Sequence, residues 1–255
     1  MRTTSAIPAP SGYAVPVAQD APEARLAFLR KVYALLTGSV VIWGATALVV
    51  ASNVELASRM LGLFGGFLGL LLFMLLAFGL LKVTANRFPL NVIGLGLFAV
   101  LEGLITGPVI LGVLAQNQGT IAPDGSLVVT AGTLAAGRTL LLQAFGLTGA
   151  VFGGLTAYAL TTKRDFSFLR GALWAGFFVL FGIGILAMFG IGEDFVMGWG
   201  WSAAWVLLFC GFILYDTQNV MRRYPANMAA AAAATLLIDI VILFMHILRL
   251  LGNRR

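Results

Sequence analysis

Residues 236–243 read Leu236-Leu237-Ile238-Asp239-Ile240-Val241-Ile242-Leu243, hydrocarbon on both sides of a single carboxylate. The apolar stretch before it carries the same signal in Phe212-Ile213-Leu214-Tyr215-Asp216-Thr217-Gln218, with Asp216 six residues before Arg222. An ionised carboxylate at the centre of a bilayer costs about 2.5–3.5 kcal/mol on insertion scales, and more by other measures. Two of them in adjacent apolar segments are the functional signal of this chain.

Composition gives the class. The 255 residues are 60% hydrophobic and only 10% charged, with a mean hydropathy of +0.98. Soluble domains carry about 25% charged residues, so this chain lacks the means to face water and reads as an all-α, polytopic membrane protein. Its expected surroundings are the lipid bilayer of a cell membrane, the inner membrane if the source is bacterial. The net charge of +6 comes from basic residues placed singly or in pairs between apolar runs. The positive-inside rule explains that arrangement, so nucleic acid is not an expected partner. A lone cysteine, Cys210, excludes an internal disulfide and any cysteine metal cluster. Residues 1–24, with Pro8, Pro10, Pro16 and Pro22, hold no continuous apolar core of the signal-peptide kind. They read as a disordered cytoplasmic tail ahead of a seven-helix transmembrane domain over 25–255.

A span needs about 20 mainly apolar residues. Seven stretches reach that length, at about 30–51, 61–82, 90–115, 139–161, 168–190, 195–220 and 228–252. The one long connection, 116–138, contains Gln116-Asn117-Gln118 and Pro123-Asp124-Gly125, and 127–136 is too short and broken for an eighth span. Arg25, Arg30, Lys31, Lys82, Arg87, Lys163, Arg164, Arg170, Arg222 and Arg223 all fall on one set of alternate connections. That asymmetry puts the N-terminus in the cytoplasm. Seven crossings then leave Arg249, Arg254 and Arg255 outside, against the rule, and a full crossing by the last segment is still expected.

Small residues recur at contact spacing in Gly62/Gly66, Gly65/Gly69, Gly103/Gly107 and Gly149/Gly153, which predicts tight packing within one bundle. Trp199, Trp201 and Trp205 read as an interfacial belt. No mid-span lysine is present to carry a retinal Schiff base, since Lys31, Lys82 and Lys163 lie at helix ends.

Four ionisable residues fall within the spans: Glu102, Asp216, Asp239 and His246. At 1.5 Å per residue, Asp216 lies about 9 Å from Arg222, and Asp239 about 17 Å from a helix starting near Met228. The weakly apolar run 228–234, placed partly among headgroups, would shrink that difference and let the two acids meet. A pair in contact at low dielectric would share one proton near neutral pH. When ionised it would offer oxygen ligands to calcium. The bland alternative is that each acid pairs separately with its own base or backbone group. His246, seven residues after Asp239, falls on nearly the same helix face about 10 Å further on. It fits either a packed polar residue or a second position on the same pathway. Glu102 precedes Gly103 and Gly107-Pro108, whose proline is expected to open the helix locally; it fits either hydrogen bonding or pore lining.

The stretch 212–218 resembles the signature of the Bax inhibitor-1 family, also called the transmembrane Bax inhibitor motif family. Glu102-Gly103 with Gly107-Pro108 is similar to that family's third-helix motif, and Lys163-Arg164-Asp165-Phe166-Ser167 to its fourth-to-fifth loop. Asp239 followed by Leu248-Arg249-Leu250-Leu251-Gly252 resembles its last helix. The resemblance covers about 30–252. It implies seven helices with the last one central, wrapped by the other six, and a pH-sensitive calcium leak governed by the dyad Asp216 and Asp239. It also implies a basic partner from the second helix for the first aspartate, for which this chain offers Lys82 or Arg87. Calcium ions and protons are thus the expected cargo and signal, with no cofactor.

Two rival readings use the same residues. An intramembrane aspartyl protease also places Tyr-Asp on one helix and an aspartate on the next, but its second acid follows a Gly-x-Gly turn. Here Leu237-Ile238 precede Asp239, so an enzyme is not expected. The other rival is a regulator of membrane-protein proteolysis or stress response, with the dyad as a structural lock and a membrane protease as partner.

Overall fold

The computed structural model describes residues 16–19, 21–84, 88–118, 120–121, 127–128 and 131–252. Helix α1 spans Pro22–Ala51 and α2 spans Val54–Phe64, with α3 at Phe67–Thr84 and α4 at Leu90–Gln118. After them come α5 (Ala131–Thr161), α6 (Leu169–Met188), a short α7 (Glu193–Met197), α8 (Trp199–Arg223) and α9 (Ala229–Gly252). Seven of these are long and apolar enough to cross a membrane, and none of the described residues outside them adds an eighth. The fold is all-α and polytopic. In the 116–138 connection, Thr120–Ile121 and Leu127–Val128 pair as a minimal antiparallel hairpin.

Local chemistry places the ends. Pro22 begins α1, where its fixed φ suits the first turn, and Glu23 faces the helix dipole there. The Asn53 carboxamide oxygen accepts from the Leu56 amide at 3.0 Å and caps α2. The second expected span, 61–82, is corrected by this arrangement. Its first residues belong to α2, Gly65 and Gly66 break the chain, and the crossing helix is Phe67–Thr84. Hydropathy continues through the break, so only the glycine pair marked it.

Helix α9 sits at the centre. Fifteen of its residues are buried between Ala229 and Gly252, and Ala231, Thr235, Ile238, Ile242, Met245 and Arg249, spaced three or four apart, form one half-buried stripe. The run 229–234 is all alanine, and its small side chains let neighbouring helices approach closely. Five of those six alanines are buried against neighbouring helices. Helices α1, α4, α5 and α8 pack directly on α9, whereas α3 packs chiefly on α4 and α6 on α8. The central helix is therefore enclosed mainly by four neighbours rather than by all six. Outward-facing residues such as Leu68, Leu75, Val83, Leu142 and Leu207 are largely exposed, as a lipid-facing belt requires.

Trp43 ties the centre together. It meets Phe145 and Phe244 edge-on, and its indole N–H donates to the Thr106 hydroxyl at 3.0 Å. Beside it, Gly103 and Gly107 of α4 lie against α1 so closely that a Cβ at either would strike Thr46 or Val50 and the α1 backbone. Gly149 and Gly153 face open space instead, so tight packing holds for the α4 pair and not for the α5 pair.

The tail expected to be disordered through residue 24 is ordered at Pro16–Gln19 and again from residue 21; residues 1–15 and Asp20 lie outside the described residues. Val17–Gln19 form one 3-10 turn, with Val17 1% exposed. The Val17 amide donates to the Tyr224 carbonyl at 3.0 Å, and Pro16 bridges to Pro225. A buried valine contributes about 1.5–3 kcal/mol and the hydrogen bond about 1 kcal/mol. Ordering each backbone residue costs about 1–2 kcal/mol. This strap is held only marginally.

Candidate functional site

Asp216 projects from α8 and Asp239 from α9, two helices joined by a tight reversal. Pro225 cannot continue α8, and it drives Tyr224 into an extended conformation (φ −77°, ψ 135°). A 3-10 turn at Ala226–Met228 then launches α9 back antiparallel to α8. Two contacts fix the register. His246 stacks on Trp205, and the Tyr224 and Thr235 hydroxyls meet at 2.9 Å. Counting eleven residues from the stack sets position 235 opposite Asp216, and counting eight from the hydroxyl pair sets position 243 there. Asp239 lies midway.

The electrostatics agree with this register. The charge of Asp216 acts directly on Asp239. Both charges also reach the Tyr224 phenol, which lies outside the spans. Burial chiefly holds that phenol above its ordinary value, the Thr235 hydrogen bond opposes, and the two acids add to the rise. Asp239 is 3% exposed, and its Oδ2 has no hydrogen-bond partner among the described residues. Asp216 is half-buried and accepts a hydrogen bond from the Asn219 side chain. Thr217, buried between Asp216 and Gln218 in sequence, also has an unpartnered hydroxyl.

The remainder of the 212–218 motif is explained by the neighbouring loop. The Gln218 amide donates to the Arg164 carbonyl at 2.7 Å, and its oxygen accepts from the Phe166 amide at 3.0 Å. Arg222 pairs with Asp165 at 2.8 Å. Hydrogen bonds from Ser167, with a smaller contribution from Arg222, hold the exposed Asp165 carboxyl below the usual carboxylate range. The end of α8 thereby clamps the α5–α6 loop beside the acids. Hydropathy could not show this clamp, because it depends on which residues the reversal brings together.

The other expected positions fall elsewhere. Glu102 is half-buried on α4 with no charged group acting on it among the described residues. Helix α4 continues through Pro108 rather than ending there, although the proline has no amide hydrogen to give the Leu104 carbonyl. His246 lies toward the far end of α9, where its charged neighbour is Arg249 rather than either acid. Its ring lies flat on Trp205, with centroids 5.3 Å apart. Trp201 and Trp205 are buried and only Trp199 is widely exposed, so the tryptophan belt reduces to one residue. Lys82 is exposed at the end of α3, and Arg87 lies outside the described residues. Among the described residues neither acid has a salt-bridge partner, the two recorded bridges being Arg59–Glu55 and Arg222–Asp165. Nor do the described residues hold a cluster of three or more histidine, cysteine or acidic groups that could seat a metal ion. Two carboxylates offer at most four oxygens, fewer than the six to eight that calcium takes. A passing ion would have to keep water or borrow carbonyls.

Architecture and site together define a class: a seven-helix membrane protein whose central last helix carries a buried acid, Asp239, beside the half-buried Asp216 of the helix before it. Residues 25–136 and 125–255 match the protein family described as inhibitor of apoptosis-promoting Bax1, and the two matches overlap inside the polar connection. The chain is 35% identical to protein lifeguard 4 of Mus musculus over 242 residues, 92% of this chain and 88% of that protein. It is 32% identical to Bax inhibitor 1 of Schizosaccharomyces pombe over 239 residues, 93% of this chain and 80% of that one. An uncharacterized membrane protein of Vibrio cholerae is 39% identical over 116 residues, covering 46% of this chain and 51% of its own. The chain belongs to the Bax inhibitor family of multi-pass membrane proteins.

Proposed function

We propose that the chain is a pH-responsive calcium leak, with Asp216 and Asp239 as the ion-binding and proton-sensing pair. The observation that carries this reading is the placement of two carboxylates at one level on α8 and α9, with no basic partner among the described residues. Such a pair is expensive in a membrane interior, and a cation or a proton relieves it. A permeating cation meets the pair from the α8–α9 reversal, where Asp216 retains partial exposure. An ionised Asp216 attracts a base from the end of α3 or the connection after it, Lys82 or Arg87, and that attraction keeps the reversal end closed. Protonation removes the attraction, so acidification opens the leak.

Calcium uptake into liposomes holding purified protein tests this directly at pH 6 and pH 8. Wild type should carry more flux at pH 6, and Asp216→Asn should leak strongly at both values. Equal pH dependence in the two proteins would sink the gate. An absence of flux from folded wild type would favour a regulator that acts through a membrane partner.

A further inference from the structure

We propose that the α8–α9 reversal is a peptide-docking surface whose resident occupant is the chain's own segment Pro16–Gln19, and that this occupant closes the way to the acid pair. The proposal rests on the leak reading above. Four observations support it. The contact has the form of strand pairing, because the Val17 amide donates to the Tyr224 carbonyl and Pro16 bridges antiparallel to Pro225. On the reversal side Tyr224 and Pro225 are both extended, Tyr224 because a proline follows it, so their backbone presents an open edge to the strap. Val17 is buried in the main core and its turn packs on both α8 and α1, so the surface has a specific apolar seat as well as a backbone edge.

Third, the seat is next to the site. Tyr224 provides the carbonyl that holds the strap, and through its hydroxyl it holds Thr235, one helical turn before Asp239. Asp216 and Asp239 both act electrostatically on that same tyrosine. Withdrawal of the strap therefore frees the residue that joins the reversal to the acid-bearing helix. Fourth, the strap is attached by one buried side chain and one backbone hydrogen bond, against the ordering of several residues. A lid held so weakly can lift without unfolding the bundle, and a competing extended segment could replace it by the same strand addition.

The test locks and releases the strap in the full-length chain. In a Cys210→Ser background, Pro16→Cys with Pro225→Cys places two thiols across an antiparallel bridge. Cα separations there are about 4.5–5.5 Å, within the range a disulfide spans. The pair should oxidise readily, and the oxidised protein should carry less than a third of the wild-type calcium flux at pH 6, with full recovery on reduction. Val17→Asp, which places a charge in the apolar seat and leaves Pro225 intact, should raise flux at pH 8 at least threefold. A pair that fails to oxidise in folded protein overturns the docking. Wild-type flux in both the oxidised pair and Val17→Asp overturns the closure. Absence of flux from wild type itself overturns the leak reading and the closure with it, while cross-link yield still decides the docking.

Discussion

The imidazole of His246 lies on the indole of Trp205 with 5° between their planes. This stack fixes how far α9 has risen along α8, and hence which residue faces Asp216. Trp205→Ala should destabilise the protein by about 3–5 kcal/mol, as large aromatic deletions do, and should weaken the interaction between the two acids. His246→Phe keeps a flat ring on the indole and should retain both stability and the pH dependence of flux. Thermal unfolding in detergent, with liposome flux alongside, checks both. Loss of pH response in a stable His246→Phe protein would move His246 into the pathway.

The acid pair should titrate as a unit. Infrared difference spectra of the carboxyl stretch should show Asp239 changing its band when Asp216→Asn is introduced, and the reverse for Asp239→Asn. Independent bands in the two variants would show that the charges do not meet.

The two glycine pairs separate close packing from spacing alone. Gly107→Ala drives a methyl into Val50 and the Ala47 carbonyl, and should cost about 1–3 kcal/mol as overpacking does. Gly149→Ala meets nothing within 4 Å and should leave the unfolding midpoint unchanged or slightly raised. Equal losses at the two sites would contradict the packing described.

The loop clamp carries a pH signature of its own. Because the folded Asp165 carboxyl is held below its ordinary value, its contribution is complete above the unfolded value and fades as pH falls through the folded one. The amide of Ser167, which donates to Asp165 at 2.9 Å, should therefore keep its hydrogen-exchange protection near pH 6 and lose it under strong acid. Gln218→Ala should cost more than Asp165→Asn, about 2 kcal/mol or more. It strands two backbone groups at the loop, whereas Asp165 is exposed.

Reporter fusions test orientation. Seven crossings should put the two ends of the chain on opposite faces, and the basic alternate connections lead us to expect the N-terminus inside. A cytoplasmic signal from the C-terminus would show that one span does not cross.

The spans were legible, and the two aspartates stood out within them, because hydropathy reports removal from water residue by residue. What hydropathy cannot separate is lipid from protein interior. For that reason the alanines at 229–234 read as weakly membranous when they are the tightly packed start of the central helix. Trp201 and Trp205 read as interfacial for the same reason, although both turn inward. The strap at 16–19 was hidden among prolines, since its order depends on a carbonyl more than two hundred residues away. Gln218 gave no sign of its role, because its partners are backbone atoms of a loop that the sequence shows only as polar.

The break at Gly65 and Gly66 leaves α3 with 18 residues, about 27 Å of helix. A typical bilayer core is about 30 Å thick. Only Phe73 and Ala77 of α3 are buried, so this is a lightly anchored crossing whose far side is lipid. In a thicker membrane this helix is too short for the core, so lipid must thin around it or its flanking Lys82 must snorkel. Acyl-chain length thus becomes a mechanical input to the protein, set by the host membrane rather than by any ligand.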